Sequence, residues 1–325
     1  MKSERWLACL LCALLALFPL LAPALGLDFY VSFVRRAMIV ALAAASLNFI
    51  LGFGGMAALG HAGFVGVGAY ALVALYDAGF ESAWLLWPAA MLVAGAVAAL
   101  IGLIALRTRG VYLIMSTLAF AQMLYYVAVS LRAYGGDDGY NLAARPQLGL
   151  GLDSTDEATF YWVVLALLAL VMLGLNRATH SRFGHALMGL RDNETRMRAM
   201  GYPVFKLMLA AFALSGAIAG LSGALLVSHN AFVSPSVMHW TQSATLIVMV
   251  VIGGVGLRWG GPVGAMVWIG LEEGAKQLTE FWHLPLGLLL ILIVFVAPRG
   301  LASVVAHWRA PTPSKAAQAS PGEIA

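Results

Sequence analysis

A chain of 325 residues that is 62% hydrophobic and only 10% charged has too little polar surface to keep a globule in water; soluble domains are about a quarter charged. The mean hydropathy of +0.88 agrees. A net charge of +4 is no nucleic-acid footprint, so the composition excludes both a soluble globule and a nucleic-acid-binding module.

Apolar runs of about twenty residues recur along the whole chain, each long enough to cross a hydrocarbon core. They are continuous rather than alternating, which makes the spans helices and not strands of a barrel. The first run, 6–25, follows a short basic start, MKSERW. It reads either as a cleaved signal peptide or as an uncleaved first helix. A polytopic protein needs no cleavable signal, so residues 1–28 are assigned to an N-terminal transmembrane helix. Cys9 and Cys12 both lie in this run, three residues apart on one helix, and are poor disulfide partners.

Further spans are expected at 29–51, 54–77, 83–106, 110–132, 158–177, 206–228, 240–256, 261–279 and 284–298. Segments 54–77 and 240–270 are rich in glycine and admit half-helices or re-entrant pieces, so the expected count is about eight to ten crossings. Residues 29–307 are expected to form the transmembrane body, and 308–325, rich in Pro, Ala and Ser, a disordered cytoplasmic tail.

Basic residues orient the chain. Lys2, Arg5, Arg107, Arg109, the stretch from Arg177 to Lys206, Arg258, Arg299 and Arg309 fall on one side if the spans alternate. That side is expected to be cytoplasmic and to hold both termini. Asp77, Glu81, Asp137, Asp138, Asp153, Asp156 and Glu157 fall on the other. Arg35 and Arg36 fit poorly, at the outer end of the second span; either they snorkel outward or the first spans are misdrawn.

There is no G-x-x-x-x-G-K-[ST] phosphate loop, no H-E-x-x-H and no Cys/His cluster at metal spacing. A chain of this kind that moved a solute would therefore have to draw on an ion gradient or on another subunit. Glu272, Glu273 and Lys276 are the ionisable candidates inside a span. Glu272 and Lys276 are four apart, so a simple helix-face pair and a place along the pathway are both open readings.

The basic loop 177–205 is too charged to span. Phe183, Leu187, Leu190 and Met197 make one apolar stripe with Arg182, Arg191, Asp192, Arg196 and Arg198 between them, and Gly201 with Pro203 ends the segment. It is one interfacial helix, or two short helices broken near Asp192 and Asn193 with either residue capping the second. The stripe rests on lipid headgroups or docks into a cytoplasmic partner.

This loop, with LAAFALSGAIAGLSGAL after it, resembles the cytoplasmic coupling loop of branched-chain amino acid ABC transporter permeases. LNFILGFGGMAALGHAGFVGVGAY, RGVYLIMSTLAFAQM, GGDDG, VVIGGVGLRWGGPVGA and GLLLILIVFVAPRGL resemble further blocks of that family in the same order. The match runs from about Leu47 to Leu301 and is to the permease of the pair with the longer N-terminus, from high-affinity leucine/isoleucine/valine uptake systems. Met197 and Met200 replace smaller residues, and Gly63 sits where Ala is common.

The resemblance implies an all-α permease in the bacterial inner membrane, paired with a second homologous permease, two cytoplasmic ATPase subunits and a periplasmic solute-binding protein. It implies no enzyme activity and no cofactor in this chain, ATP and Mg residing on the partners. The implied coupling residues are Gly184, Ala186, Leu187, Arg191, Asp192, Asn193, Glu194 and Gly201, with Leu190 added from the stripe. The implied pathway residues are Gly60, His61, Phe64, Gly66, Gly68 and Tyr70, with Glu272 and Glu273 beside them. The outer turn of Gly135, Gly136, Asp137 and Asp138 is the implied binding-protein contact. His61 either offers a hydrogen bond to a carboxylate or is satisfied by a neighbouring helix. Urea, amides or aromatic acids are alternative cargoes, and an ion-coupled carrier is the alternative outside the fold. Gly220-Leu221-Ser222-Gly223 also matches the GxSG of intramembrane serine proteases, with His229 or His239 as base. Gly216 and Gly220 explain it better as a packing face.

Overall fold

A computed structural model describes residues 14–19, 28–149, 156–278, 281, 283–296 and 300–301. Helix α1 (Asp28–Asn48) runs into a π-helical turn at Phe49–Phe53. There follow α2 (His61–Asp77), α3 (Ala83–Ala105), α4 (Val111–Ser130), α5 (Glu157–His180), α6 (Arg182–Asp192), α7 (Glu194–Ala199) and α8 (Val204–Asn230). The described chain continues through α9 (Trp240–Gly253), α10 (Gly260–Leu278) and α11 (His283–Val296). Strands β1 (Tyr140–Asn141) and β2 (Phe232–Val233) pair antiparallel outside the bundle. This is an all-α polytopic membrane protein. The spans Tyr30–Phe53, α3, α4, α5 and α8 are each long and apolar enough to cross a hydrocarbon core.

Burial separates centre from rim. The α1 span is 83% buried and α4 only 22%, so α1 is a core helix and α4 lies at the rim. Leu92 on α3, Leu170 on α5 and Phe295 on α11 are among the exposed apolar side chains of that rim. Helix α8 fits between α2 and α3 through its small residues. A Cβ on Gly216 or Gly220 would run into Ala98 or Ala94, and one on Gly223 would overlap the Val65 carbonyl. Association in lipid relies on such close backbone approach.

The helix expected over 54–77 begins only at His61. Gly54 closes the π-turn, Gly55 takes φ +66°, and 54–60 runs as irregular chain. Non-helical backbone is tolerated at membrane depth only when buried in protein. Here Met56 and Ala58 are buried, and the Leu59 N–H donates to Thr117 Oγ1 at 3.1 Å. Of the expected first span, only 14–19 is described; it is helical, and the Leu15 carbonyl accepts the Tyr161 hydroxyl at 2.7 Å. The rest of 1–28 and the tail 308–325 lie outside the described residues.

Charge sorts to two ends. Arg109 of the α3–α4 turn reaches Glu194 at 2.7 Å, and Arg191 reaches the Gly52 carbonyl at 2.5 Å. These contacts gather 106–110, 181–203 and the α9–α10 turn at one basic end. At the other end Tyr140 donates to Asp77 at 2.9 Å, Gln147 to Glu81 at 2.8 Å, and Arg145 pairs with Glu157 at 3.0 Å. Arg35, expected to snorkel or to mark a misdrawn span, does neither. It is fully buried, pairs with Glu157, and donates to the Glu157 carbonyl at 3.1 Å and His229 Nδ1 at 3.0 Å. Its guanidinium also lies 5.1 Å from the Phe160 ring centroid, so one cation ties α1, α5 and α8 together at the acidic end.

Candidate permeation cleft and coupling joint

A cleft of about 600 Å³ opens between α1, α9, α10 and α11. Its apolar wall includes Val40, Leu226, Leu246, Met249 and Ile269, and its polar wall includes Arg36, Thr241, Gln242, Thr245 and Glu272. Trp268 also lines it, and its buried indole N–H has no acceptor among the described residues.

Of the sequence-derived pathway residues, Glu272 lines this cleft. Its Oε1 holds Lys276 Nζ at 2.6 Å, so the helix-face pair and the place on the cleft wall coexist. Glu273, the next residue of α10, is not on that wall. Gly60, His61, Phe64, Gly66, Gly68 and Tyr70 do not line it either, although Ala62 and Val65 from the same helix do. The six residues pack α2 instead. A Cβ on Gly60 would meet the Thr117 carbonyl, one on Gly66 the Met238 side chain, and one on Gly68 the backbone of Gly220. Phe64 stands edge-on to Phe212, and Tyr70 is buried. His61 is fully buried with Nε2 2.7 Å from Ser46 Oγ. Ser46 Oγ donates to the Ala43 carbonyl, which leaves Nε2 as the donor and Nδ1 as an acceptor with no partner among the described residues. The histidine is thus satisfied by a neighbouring helix through one nitrogen only.

The basic end holds a layered joint. Ser181 caps α6 by accepting from Gly184 N at 3.3 Å. Gly184 fits there because a Cβ would strike the backbone of Ala178 and Thr179. Of the two forms open in the sequence, the structure has the broken one: α6 stops at Asp192, and Asn193 caps α7 by accepting from Arg196 N at 2.9 Å. Gly201 then turns the chain at φ +80°.

Most of the apolar stripe is buried inside the chain, a third arrangement beside the lipid-resting and partner-docking readings. Leu187 is fully buried in the main core, and Leu190 packs with Ala186, Met197 and Val204. What faces outward is Arg182, His185, Asp192, Arg196, Arg198, Met200 and Tyr202. Glu194 is also engaged within the chain, by Arg109 and Arg198. Periodicity had shown an apolar face but not what covers it.

Arg191 carries the joint inward. Its bond to the Gly52 carbonyl lands on the π-turn that ends the α1 span. Gly52 has no room for a Cβ against Gly256 of the α9–α10 turn. Asn48 locks that turn, accepting from Gly256 N at 2.9 Å and donating to the Leu257 carbonyl at 2.6 Å. The π-turn that ends the α1 span and the glycine-rich α9–α10 turn therefore pack against each other beneath α6.

At the acidic end, Gly135, Gly136 and Gly139 all take positive φ and fold 135–139 into a tight turn with Asp137 and Asp138 exposed. A hydrogen bond to Asp77 raises the Tyr140 hydroxyl above its ordinary pKa. Asp156 caps α5, and its bonds from the Thr159 hydroxyl and from the Thr159 and Ala158 amides hold its carboxyl below the usual range. Ser222, in the GxSG, is buried and donates to the Ile39 carbonyl at 2.7 Å, with no bond to either histidine. His229 is engaged by Arg35, and His239 by Thr241 at 2.9 Å. This serine packs a helix and has no base among the described residues.

The family model described as branched-chain amino acid transport system, permease component, matches residues 29–297. The high-affinity branched-chain amino acid transport system permease protein LivM of Escherichia coli K12 is 31% identical over 290 residues, covering 81% of this chain and 68% of that protein. LivM of Salmonella typhimurium is 30% identical over 297 residues, covering 83% and 69%. The xylose transport system permease protein XylH of Escherichia coli K12 is 28% identical over 141 residues, 41% of this chain and 36% of that protein. No solved structure matches the chain. With a matched region that takes in every described helix from α2 through α11 and nearly all of α1, the chain belongs to the permease family of branched-chain amino acid transport systems.

Proposed function

We propose that this chain is a transmembrane permease subunit of an ATP-binding cassette importer for branched-chain or related amino acids, working by alternating access. Its partners in this reading are a second homologous permease, two cytoplasmic ATPase subunits that carry ATP and Mg, and a binding protein that delivers cargo to the acidic end. The similarity to LivM along four fifths of the chain supports this. The observation that carries the mechanism is the contact chain from α6 through Arg191 and Gly52 to the α9–α10 turn.

In this reading the basic end lies in the cytoplasm of a bacterial inner membrane, as the positive-inside rule requires. An ATPase docks on the outward faces of α6 and α7, where Met200 and Tyr202 give apolar contact within a ring of arginines. Leu187 and Leu190 hold the pair of helices to the membrane body. Asp192, Asn193 and Glu194 set the break between the two helices, and Gly201 ends it. Movement of the ATPase dimer displaces α6, and Arg191 transmits that displacement to the turn beneath the cleft. Gly135, Gly136, Asp137 and Asp138 present the docking turn for the binding protein.

The test is co-purification. Met200→Asp with Tyr202→Asp is expected to leave the chain inserted and to abolish its recovery with the ATPase subunits. Unchanged recovery would remove the docking surface from the account. An ion-coupled carrier, in contrast, would transport cargo with no ATPase present.

A further inference from the structure

We propose that the cleft holds a zwitterionic α-amino acid, with Arg36 and the Trp268 indole N–H on its carboxylate and Glu272 on its ammonium. The proposal rests on the permease reading and adds the groups that would grip the cargo.

Arg35 and Arg36 are neighbours with opposite fates. Arg35 is buried and saturated by Glu157, His229 and Ser32. Arg36 is exposed on the cleft wall, inside the Tyr30–Phe53 span, with no hydrogen bond or ion pair among the described residues. A cation inside a membrane-length helix is costly, and such residues face cavities that use them. Trp268 adds a second unpartnered donor on the same cleft.

The acid stands at nearly the same depth on the facing helix. Gly261 of α10 touches the Ala44 carbonyl of α1, and the helices run antiparallel from that contact. At 1.5 Å per residue, Arg36 lies about 12 Å and Glu272 about 16 Å along from it, an offset of less than one helical turn. Glu272 spends Oε1 on Lys276, and Oε2 has no partner among the described residues. Val40, Met249 and Ile269 add an apolar wall to the same cleft, Val40 one turn from Arg36 and Ile269 one turn from Glu272. Opposite charges beside an apolar wall match a molecule whose ammonium and carboxylate sit on one carbon that also bears an aliphatic side chain. A neutral sugar can hydrogen-bond these groups but brings no charge to offset either.

The experiment places a cysteine at the cleft, Gln242→Cys, in the assembled transporter with Cys9 and Cys12 replaced by Ser. A thiol reagent reports occupancy in proteoliposomes. L-Leucine is expected to slow modification and D-xylose to leave it unchanged. Arg36→Gln and Glu272→Gln are each expected to raise the half-protecting L-leucine concentration about tenfold or more, the effect of losing one charge-assisted contact. Arg36→Lys, which keeps the charge, should recover part of the loss. Equal protection in wild type and both Gln variants, or equal protection by D-xylose, overturns the assignment. ATP-driven leucine uptake measured in the same vesicles separates the two claims. Uptake that persists at wild-type rates in both variants sinks the site and leaves the permease reading standing. Absence of ATP-driven uptake in the wild type sinks both.

Discussion

Replacing Arg191 with Met keeps the aliphatic stem and removes the guanidinium that donates to the Gly52 carbonyl at 2.5 Å. A hydrogen bond from a charged donor contributes about 1.5–3 kcal/mol. Because the Arg191 side chain is 43% exposed, the lower end applies; about 1.5 kcal/mol is roughly a tenfold change in the coupled equilibrium. The carbonyl left behind lies in the π-turn, against Gly256, where no side chain fits to replace the donor. The assay is amino acid moved per ATP hydrolysed in proteoliposomes holding the assembled transporter. We expect ATPase association and basal hydrolysis to persist while uptake per ATP falls about tenfold. Gly55→Ala should have the same phenotype, because a Cβ there meets the Arg191 side chain and the residue sits at φ +66°. Unchanged uptake per ATP in both variants refutes the lever. Loss of ATPase association in Arg191→Met also refutes it, by placing Arg191 in the docking interface itself.

Leu187→Ala is expected to destabilise the chain by about 2–5 kcal/mol, the usual cost of truncating a buried leucine; an unchanged melting temperature in detergent would contradict its burial. Asp156→Ala should lower the melting temperature by loss of the α5 cap. Since the folded pKa of Asp156 is depressed, its contribution is full above the ordinary value of 3.8 and is lost as pH falls through the lower folded value. The gap between wild type and variant should therefore stay constant from neutral pH down to that ordinary value and close only below it; closure near neutral pH would show that the carboxylate is not the cap. For orientation, cysteines at Ser181 and Asp138 should react with membrane-impermeant reagent from the cytoplasmic and periplasmic sides respectively. The reverse pattern would invert the topology.

Much of the fold was legible because bilayer physics is coarse. A long apolar run must be a helix, and the lengths of α3, α4 and α8 followed from that alone. The break at Asn193 was legible because Asn followed by Glu is a local capping signal. The exact start of α2 was not: the glycines of 54–60 admitted a re-entrant piece but not its end, which Gly55 at φ +66° and the bond from Leu59 N to Thr117 set at His61. Arg35 and Arg36 looked like one anomaly in sequence. They separate because successive helix residues point about 100° apart, one toward Glu157 and the other into the cleft. The motif around His61 was legible as important, and its use was not. Glycines that let helices touch and glycines that line a pathway have the same spacing, and only the neighbours Met238 and Gly220 distinguish them.

The most direct test of the account is accumulation of labelled L-leucine in proteoliposomes containing this chain with its second permease, ATPase and binding-protein subunits. The account predicts accumulation that requires ATP and the binding protein, persists when ion gradients are collapsed, and is absent when this chain is reconstituted alone. Accumulation by the chain alone, driven by an imposed ion gradient without ATP, would contradict it.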